Sequence, residues 1–366
     1  CPLYDAPGLP ISWNKNQYQE GKNEYVAVRP ELKKQIEELY RRNPEEARDS
    51  FGEDPFEVKN ILKYWVFSEK PEFHVIPTDT INIHIDKDAL LRSGIMLPKT
   101  IRHLKGEDLK DAIPDKLYIP LTDIRMLTKV DLLMLEMLAN CNWERPLYLA
   151  ISVGSVSKLK FDNYFVQEGL AFRFTPFDYK KWGDVGENRL YAVDVERLYD
   201  NVMNRYKYGG LDTPGLYLDE TTLRTCWYHR RLFAQLAKEL IAQGDNERAK
   251  KVLAYAEQVI PGYNVPETHE SGSYSIATAY ATLGEKMKTI TLTEHLIAEA
   301  EDYINWAFSL KGNRMEMVRN DCIYKFWQWN QYNELLKKID GEKYKESNRR
   351  VEEKYALFAP TMNYKN

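Results

Sequence analysis

The side chains able to do acid–base, nucleophilic or metal chemistry are scattered along this chain. The six histidines, His74, His84, His103, His229, His269 and His295, include no His-x-x-x-His pair and no His-Glu-x-x-His, the spacing that turns two imidazoles toward one metal. Cys1, Cys141, Cys226 and Cys322 lie far apart without a Cys-x-x-Cys, so neither a zinc site nor a disulfide framework is indicated. Phosphate-cradling glycine loops are absent from the sequence as well. Gly154-Ser155-Val156-Ser157 follows an apolar run, but it lacks the second glycine of a nucleophile elbow and reads as a loop. No catalytic residue, metal ligand or cofactor is therefore expected.

Polar groups do gather at the ends of expected strands. They are Asp79 in Pro77-Thr78-Asp79-Thr80, Asn142 and Arg145 between a helix and a strand, and Asn163, Gln167, Glu168 and Arg173 around another strand. Carboxylates and amides at one sheet edge can hold a sugar or a peptide. The same groups can instead satisfy helix ends and loop backbones, which is their commoner use. Asp79, Asn142, Arg145, Asn163, Glu168 and Arg173 are the candidate binding set.

The elements that position these groups follow from periodicity. The opening, Cys1 to Glu24, carries Pro2, Pro7, Gly8 and Pro10 and reads as an extended arm. A helix starts at Arg29-Pro30-Glu31 with Leu32, Ile36 and Leu39 on one face. A second is expected from Asp54-Pro55, with Val58, Ile61, Leu62 and Trp65 as its stripe. Thr80 to Ile85 and Lys116 to Leu121 alternate as half-buried strands. Lys129 to Cys141 is apolar on most sides and suits a helix under a sheet, followed by the apolar run Leu147 to Val153 and a strand from Leu170 to Thr175. The order strand, helix, strand permits a parallel crossover, so one mixed sheet is expected. Gly183 and Gly186 mark a linker.

Beyond that point helices dominate. Val195 to Tyr206 is helical in pattern, Gly209-Gly210 breaks it, and Asp219 caps a long helix running to Gln243. Phe233, Leu236, Ala237 and Leu240, then Gly244, then Ala249, Leu253, Ala256 and Pro261 fit the tetratricopeptide (TPR) template. Small residues allow two helices to approach, glycine makes the turn and proline ends the second helix. Ile276, Ala277, Tyr280 and Gly284 form a weaker second copy after an insertion at Tyr263 to His269. Helices over Leu292 to Leu310, Met315 to Lys338 and Lys343 to Phe358 are expected to complete the stack. Such a stack either presents a concave surface to a partner or braces its own neighbour.

The expected class is therefore α+β. A mixed α/β domain with a small sheet spans 1–180, a linker 181–193, and an all-α TPR-like array 194–366. At 366 residues two cores are expected. The 51 basic residues are matched by 55 acidic ones and interspersed with them, which argues against nucleic acid as a partner. No apolar run is long enough to span a bilayer. Cys1 in place of Met is expected to mark an excised boundary rather than a lipid-bearing terminus. The 25 tyrosines and 8 tryptophans pack helices or stack on sugars, with packing the default.

Read in order, the words NILKYWV, IPTDTI, MLEMLANCNWERPLYLAI, NYFVQEGLAFRFTPF, GLYLDE and HRRLFAQLAKELI resemble one family. It is the soluble C-terminal region of the multi-pass protein O-mannosyltransferase-like proteins of Bacteroidota, classed as a domain of unknown function and grouped with C-type membrane glycosyltransferases. The resemblance covers nearly the whole chain and is most specific from Leu135 to Phe177. It implies a parent whose membrane helices and acidic catalytic residue lie upstream. The relatives' Asn-Gly-Asp-Asn-Asp-Thr segment does not occur here, so no catalytic residue carries over. The resemblance implies a non-catalytic periplasmic accessory domain, with acceptor protein or glycan and the parent's membrane-embedded portion as partners. A TPR-type scaffold of the cell envelope and a soluble sugar-active enzyme working through Asp79, Glu168 and Arg173 remain the alternatives.

Overall fold

The structure, a computed structural model, describes residues 25–70, 73–153, 159, 161–185, 191–311 and 314–362. The expected arm and the Gly154 to Ser157 loop lie outside the described residues. The chain divides into two compact units, Cys1–Asp194 and Val195–Asn366.

Among the described residues the first unit holds nine short strands: β1 (Tyr25–Val28), β2 (Val75–Ile76), β3 (Thr80–His84), β4 (Lys116–Pro120), β5 (Met126–Thr128), β6 (Tyr148–Ala150), β7 (Phe165–Gln167), β8 (Ala171–Phe174) and β9 (Ala192–Val193). Its helices are α1 (Leu32–Arg42), α2 (Pro44–Phe51), α3 (Val58–Ile61, continued by a π-turn over Leu62–Val66), α4 (Lys87–Arg92), α5 (Gly106–Ala112) and α6 (Lys129–Asn140). The single mixed sheet expected from the sequence is replaced by three sheets, ordered β2-β1-β5, β3-β4 and β6-β8-β7-β9. Parallel pairing occurs at β1 with β2 and at β7 with β9. No crossover joins β4 or β5 to β6, because β5 is held antiparallel to β1 and runs straight into α6, after which β6 pairs with β8. Alternation shows that a strand exists and which side chains point inward, but not which edge it finds.

Several local expectations shift for identifiable reasons. The helix expected from Asp54-Pro55 starts at Val58 instead. Asn82 N–H donates to the Phe56 carbonyl (3.0 Å), drawing residues 55–57 alongside β3, while Asp54 accepts from Phe56 N and from Lys116 Nζ. In β3 the inward residues Ile81 and Ile83 are buried as the alternation requires, but Asn82 is buried too, so this strand is covered on both sides. The apolar run Leu147 to Val153 supplies only the three-residue β6, and Tyr148 and Val153 are exposed. Within and beside the glycine-marked stretch, Phe177, Tyr179 and Val185 lie in the first unit's core, and Ala192–Val193 forms β9.

Helix α6 begins where β5 ends because Thr128 is both the last strand residue and the N-cap. The Asp131 carboxylate accepts the Thr128 N–H at 2.8 Å and Thr128 Oγ1 accepts the Asp131 N–H, a complete capping box. Its Leu132, Leu135 and Leu138 join Ile81, Ile83, Leu117, Ile119, Trp143 and Phe174 in one core.

The second unit holds α7 (Val195–Asp200, extended by a π-turn over Asn201–Arg205), α8 (Glu220–Ala242), α9 (Asn246–Val259), α10 (Ser273–Thr282), α11 (Lys286–Ser309), α12 (Arg314–Met317), α13 (Arg319–Ile339) and α14 (Gly341–Met362). Asp219 caps α8 by accepting from Thr222 N at 2.7 Å. Helices α8 and α9 turn at Gly244 (φ 80°), and α10 and α11 turn at Gly284 (φ 76°), left-handed backbone that glycine adopts without steric cost. Phe233, Leu236, Ala237, Leu240, Ala249 and Leu253 are fully buried between the first pair, and Ala256 nearly so. Pro261 follows the end of α9. A second core of Leu296, Ala300, Ile304, Phe326, Trp329, Tyr332 and Phe358 joins α11, α13 and α14. The molecule is thus α+β, with small sheets in the first unit and a TPR-like helical array in the second.

Candidate functional site

The six polar residues marked in the sequence separate into four places. Glu168, just past the end of β7, and Arg173, on β8, come together, both buried, with a nitrogen to oxygen distance of 3.6 Å. Tyr148 donates to Glu168 Oε2 at 2.7 Å, and the Arg173 guanidinium donates to the Ser93 carbonyl (2.9 Å) and Ser93 Oγ (2.7 Å). The pair ties the four-stranded sheet to the end of α4. Arg145 is exposed beside it, and the crevice that Arg145, Trp143, Arg173 and Ser93 border encloses about 10 Å³, room for one water and not for a sugar. Asp79 pairs instead with Lys33 at 3.0 Å, a hydrogen bond that holds its carboxyl below the usual range. Asn142 accepts from Lys59 at 3.1 Å. Asn163 uses its backbone carbonyl to receive Tyr179 N. The structure therefore unites Glu168 and Arg173, sets Arg145 near them, and leaves Asp79, Asn142 and Asn163 with other neighbours.

Asn142 and Trp143 are non-glycine residues with positive φ, 48° and 61°. The conformation swings the Trp143 indole inward, where Nε1 donates to the His84 carbonyl at 2.8 Å and the ring stacks on Phe174. Burial and this bond hold the backbone strain in place.

Open space lies in the helical unit. Between α8 and α10, the leading helices of the two pairs, runs a groove of about 540 Å³. Arg231, Gln235 and Lys238 recur on one wall at i, i+4 and i+7, and Ser275, Thr278 and Thr282 on the other at i, i+3 and i+7, so each wall is one helix face. Ala234, Ala279 and Gly272 keep the floor low. Arg231 Nε is anchored on the Glu270 carbonyl at 2.7 Å, and Gly272 (φ 90°) lets it approach, since a Cβ there would stand 2.8 Å from Arg231 Cγ. Thr278 and Thr282 donate back to the Tyr274 and Thr278 carbonyls, which leaves their oxygens as acceptors. Lys238 makes no ion pair among the described residues and is exposed. A neighbouring hollow of about 310 Å³ is already closed chemically: Glu267 pairs with His295 (2.6 Å), and Glu257 with Lys288 (2.8 Å) and Tyr280.

The groove is a hydrogen-bonding channel with a cation beside it, suited to an extended polar segment. The repeat template marks only the buried positions of these helices; the groove's signal in the sequence is the polar period on their other side. Among the described residues no group of three His, Cys, Asp or Glu side chains stands together as a metal site, and no helix is long and apolar enough to cross a membrane.

Residues 1–196 match the family model described as TMEM260-associated domain 2. Neither a curated protein nor a solved structure matches the chain.

Proposed function

Starting from the fact that this chain belongs to the TMEM260-associated domain 2 family, we propose that it is a non-catalytic accessory part of a multi-pass membrane glycosyltransferase-like protein and presents acceptor to the parent's active site. The reading takes in the resemblance to the extracytoplasmic region of Bacteroidota O-mannosyltransferase-like proteins, which supports a place on the periplasmic side of the inner membrane. The partners are then the membrane-embedded portion of the same parent and an acceptor protein or glycan. The observation that carries the role is the groove between α8 and α10, open and lined by polar side chains, with Lys238 in no ion pair among the described residues, while the polar cluster of the first unit is spent on its own fold. An extended acceptor segment lies along Arg231, Gln235 and Lys238, with Ser275 and Thr278 opposite.

The test is transfer by the full-length parent in membranes. Truncation should be made at Val195, because Phe177, Tyr179 and Val185 belong to the first core. Loss of transfer with undiminished parent in the membrane supports the proposal, as does a loss of about tenfold in Lys238→Glu or Thr278→Tyr, the effect of roughly 1.4 kcal/mol of lost binding. Normal transfer by the truncated parent refutes it. Retained transfer with loss of a co-purifying envelope protein favours a scaffold role instead.

A further inference from the structure

Beside the groove stands an aromatic shelf that packing does not use up. Tyr324 and Trp327, one turn apart on α13, stack with ring centres 5.5 Å apart and planes within 13°. Both stay about half exposed, at 46% and 49%. His269 meets their edges (6.3 and 5.8 Å) and stacks on Tyr274, which also lines the groove. Buried Tyr332 closes the back, its hydroxyl 3.0 Å from His269 Nδ1. The aromatics of the second core, such as Trp329, are buried, so the exposure of Tyr324 and Trp327 is a property of this face.

The polar groups around the shelf are arranged for a neutral ligand. The Glu270 carboxylate is flanked by Lys325 at 3.8 Å, which itself pairs with Glu299 at 2.9 Å. Desolvation raises the Glu270 carboxyl, but the hydrogen bond from Gln328 and the charge of Lys325 outweigh it and leave the group below the usual range, ionised at neutral pH. Burial pushes the His269 imidazole down, so it is neutral there too. Gln328, next to Trp327, is fully buried and donates to Glu270 Oε1 at 2.9 Å, while its own Oε1 has no hydrogen-bond partner among the described residues. A free cation meets Lys325, and an anion meets Glu270; an uncharged ring with hydroxyls meets neither objection.

We propose that this shelf binds a neutral hexose unit of a glycan. The C–H face of the sugar lies on the outer face of the Trp327–Tyr324 stack, and its hydroxyls donate to the part-exposed Glu270 carboxylate. This deepens and rests on the accessory reading above, for it makes glycan, and not bare polypeptide alone, what the helical unit recognises. An acceptor segment in the groove reaches the shelf at Tyr274.

The whole chain is titrated with cellotriose, mannotriose and chitotriose, with sialyllactose as an anionic probe and a trimethyl-lysine peptide as a cationic one. Binding is read by ligand-detected saturation-transfer NMR with irradiation of aromatic protons. A neutral trisaccharide is expected to receive saturation on its ring C–H protons. Trp327→Ala and Tyr324→Ala should each weaken it by about tenfold, and Trp327→Phe far less. Circular dichroism and melting of the variants check folding. The proposal is overturned by absence of saturation for every neutral sugar at millimolar concentration, by unchanged affinity in Trp327→Ala, or by preference for the charged probes. Transfer assays separate the two readings. Sugar binding with transfer indifferent to loss of residues 195–366 removes the accessory role alone. Transfer that needs those residues, without any sugar held, removes the shelf alone.

Discussion

Arg230 offers the sharpest test of how the helical unit sets its groove. It is buried within α8 and its guanidinium makes hydrogen bonds without a carboxylate: to the carbonyls of Pro266 (2.8 Å), Ile260 (3.0 Å) and Val265 (2.6 Å) and to Ser271 Oγ (3.0 Å). All four acceptors lie on the connection from α9 to α10, so one side chain staples the two helix pairs together. Burial pushes its pKa down to about 10, which leaves it a cation at neutral pH. In Arg230→Met the methionine fills much of the volume, but three carbonyls lose their donor. Ser271 Oγ keeps Thr268 and Ser273. Each buried orphan carbonyl costs roughly 1–3 kcal/mol, and relief from burying a guanidinium returns several kcal/mol, so a net loss of about 3 kcal/mol is expected. Because the chain has two units, the assay is amide hydrogen exchange resolved by peptide, not a single melting point. Protection of residues 260–272 and of α10 should fall by about a hundredfold, while α6 and β3 are unchanged. A loss below about 1 kcal/mol, or equal loss in both units, would show that the four bonds do not hold the pairs together.

Three further outcomes follow from single contacts. Gly272→Ala forces a side chain into left-handed backbone and against Arg231 Cγ, so the helical unit should lose roughly 1–3 kcal/mol; an unchanged thermal midpoint would count against the close approach. Thr128→Ala removes half of the capping box of α6 and should lower the first unit's urea stability by about 1 kcal/mol, with Thr128→Ser nearly neutral. Cys141, Cys226 and Cys322 are buried and their thiols are pushed up chiefly by desolvation, so under native conditions at pH 8 they should resist a disulfide reagent that labels them at once in guanidinium. The sign is that of an acid raised by folding: the native state holds the proton more tightly, and the contribution is complete below the unfolded pKa and lost as pH climbs through the folded one. Rapid native labelling of any of the three would refute their burial.

Particular residues show how far the chain could be read unaided. The template positions Phe233 to Pro261 predicted the buried face of α8 and α9 and the turn at Gly244, because a helical period and a glycine requirement are local properties. The cap at Asp219 and the helix over Lys129–Asn140 were legible for the same reason. The start of α3 at Val58 and the positive φ of Trp143 were not, since each goes with a bond to a neighbour distant in sequence, Asn82 and His84.

The candidate site divides along the same line. By itself, the sequence determined that the chain has a mixed α/β half and a TPR-like half, that its charges are balanced, and that Glu168 and Arg173 lie around a strand. Tertiary structure alone decided that this pair is spent on Ser93 and Tyr148, that Asp79 turns to Lys33, and that the open surface is the groove of α8 and α10 with the shelf of Tyr324 and Trp327. Periodicity records which side of an element faces inward. Which two outward faces end up opposite each other depends on packing between segments far apart in the chain, and binding surfaces are made of those pairings.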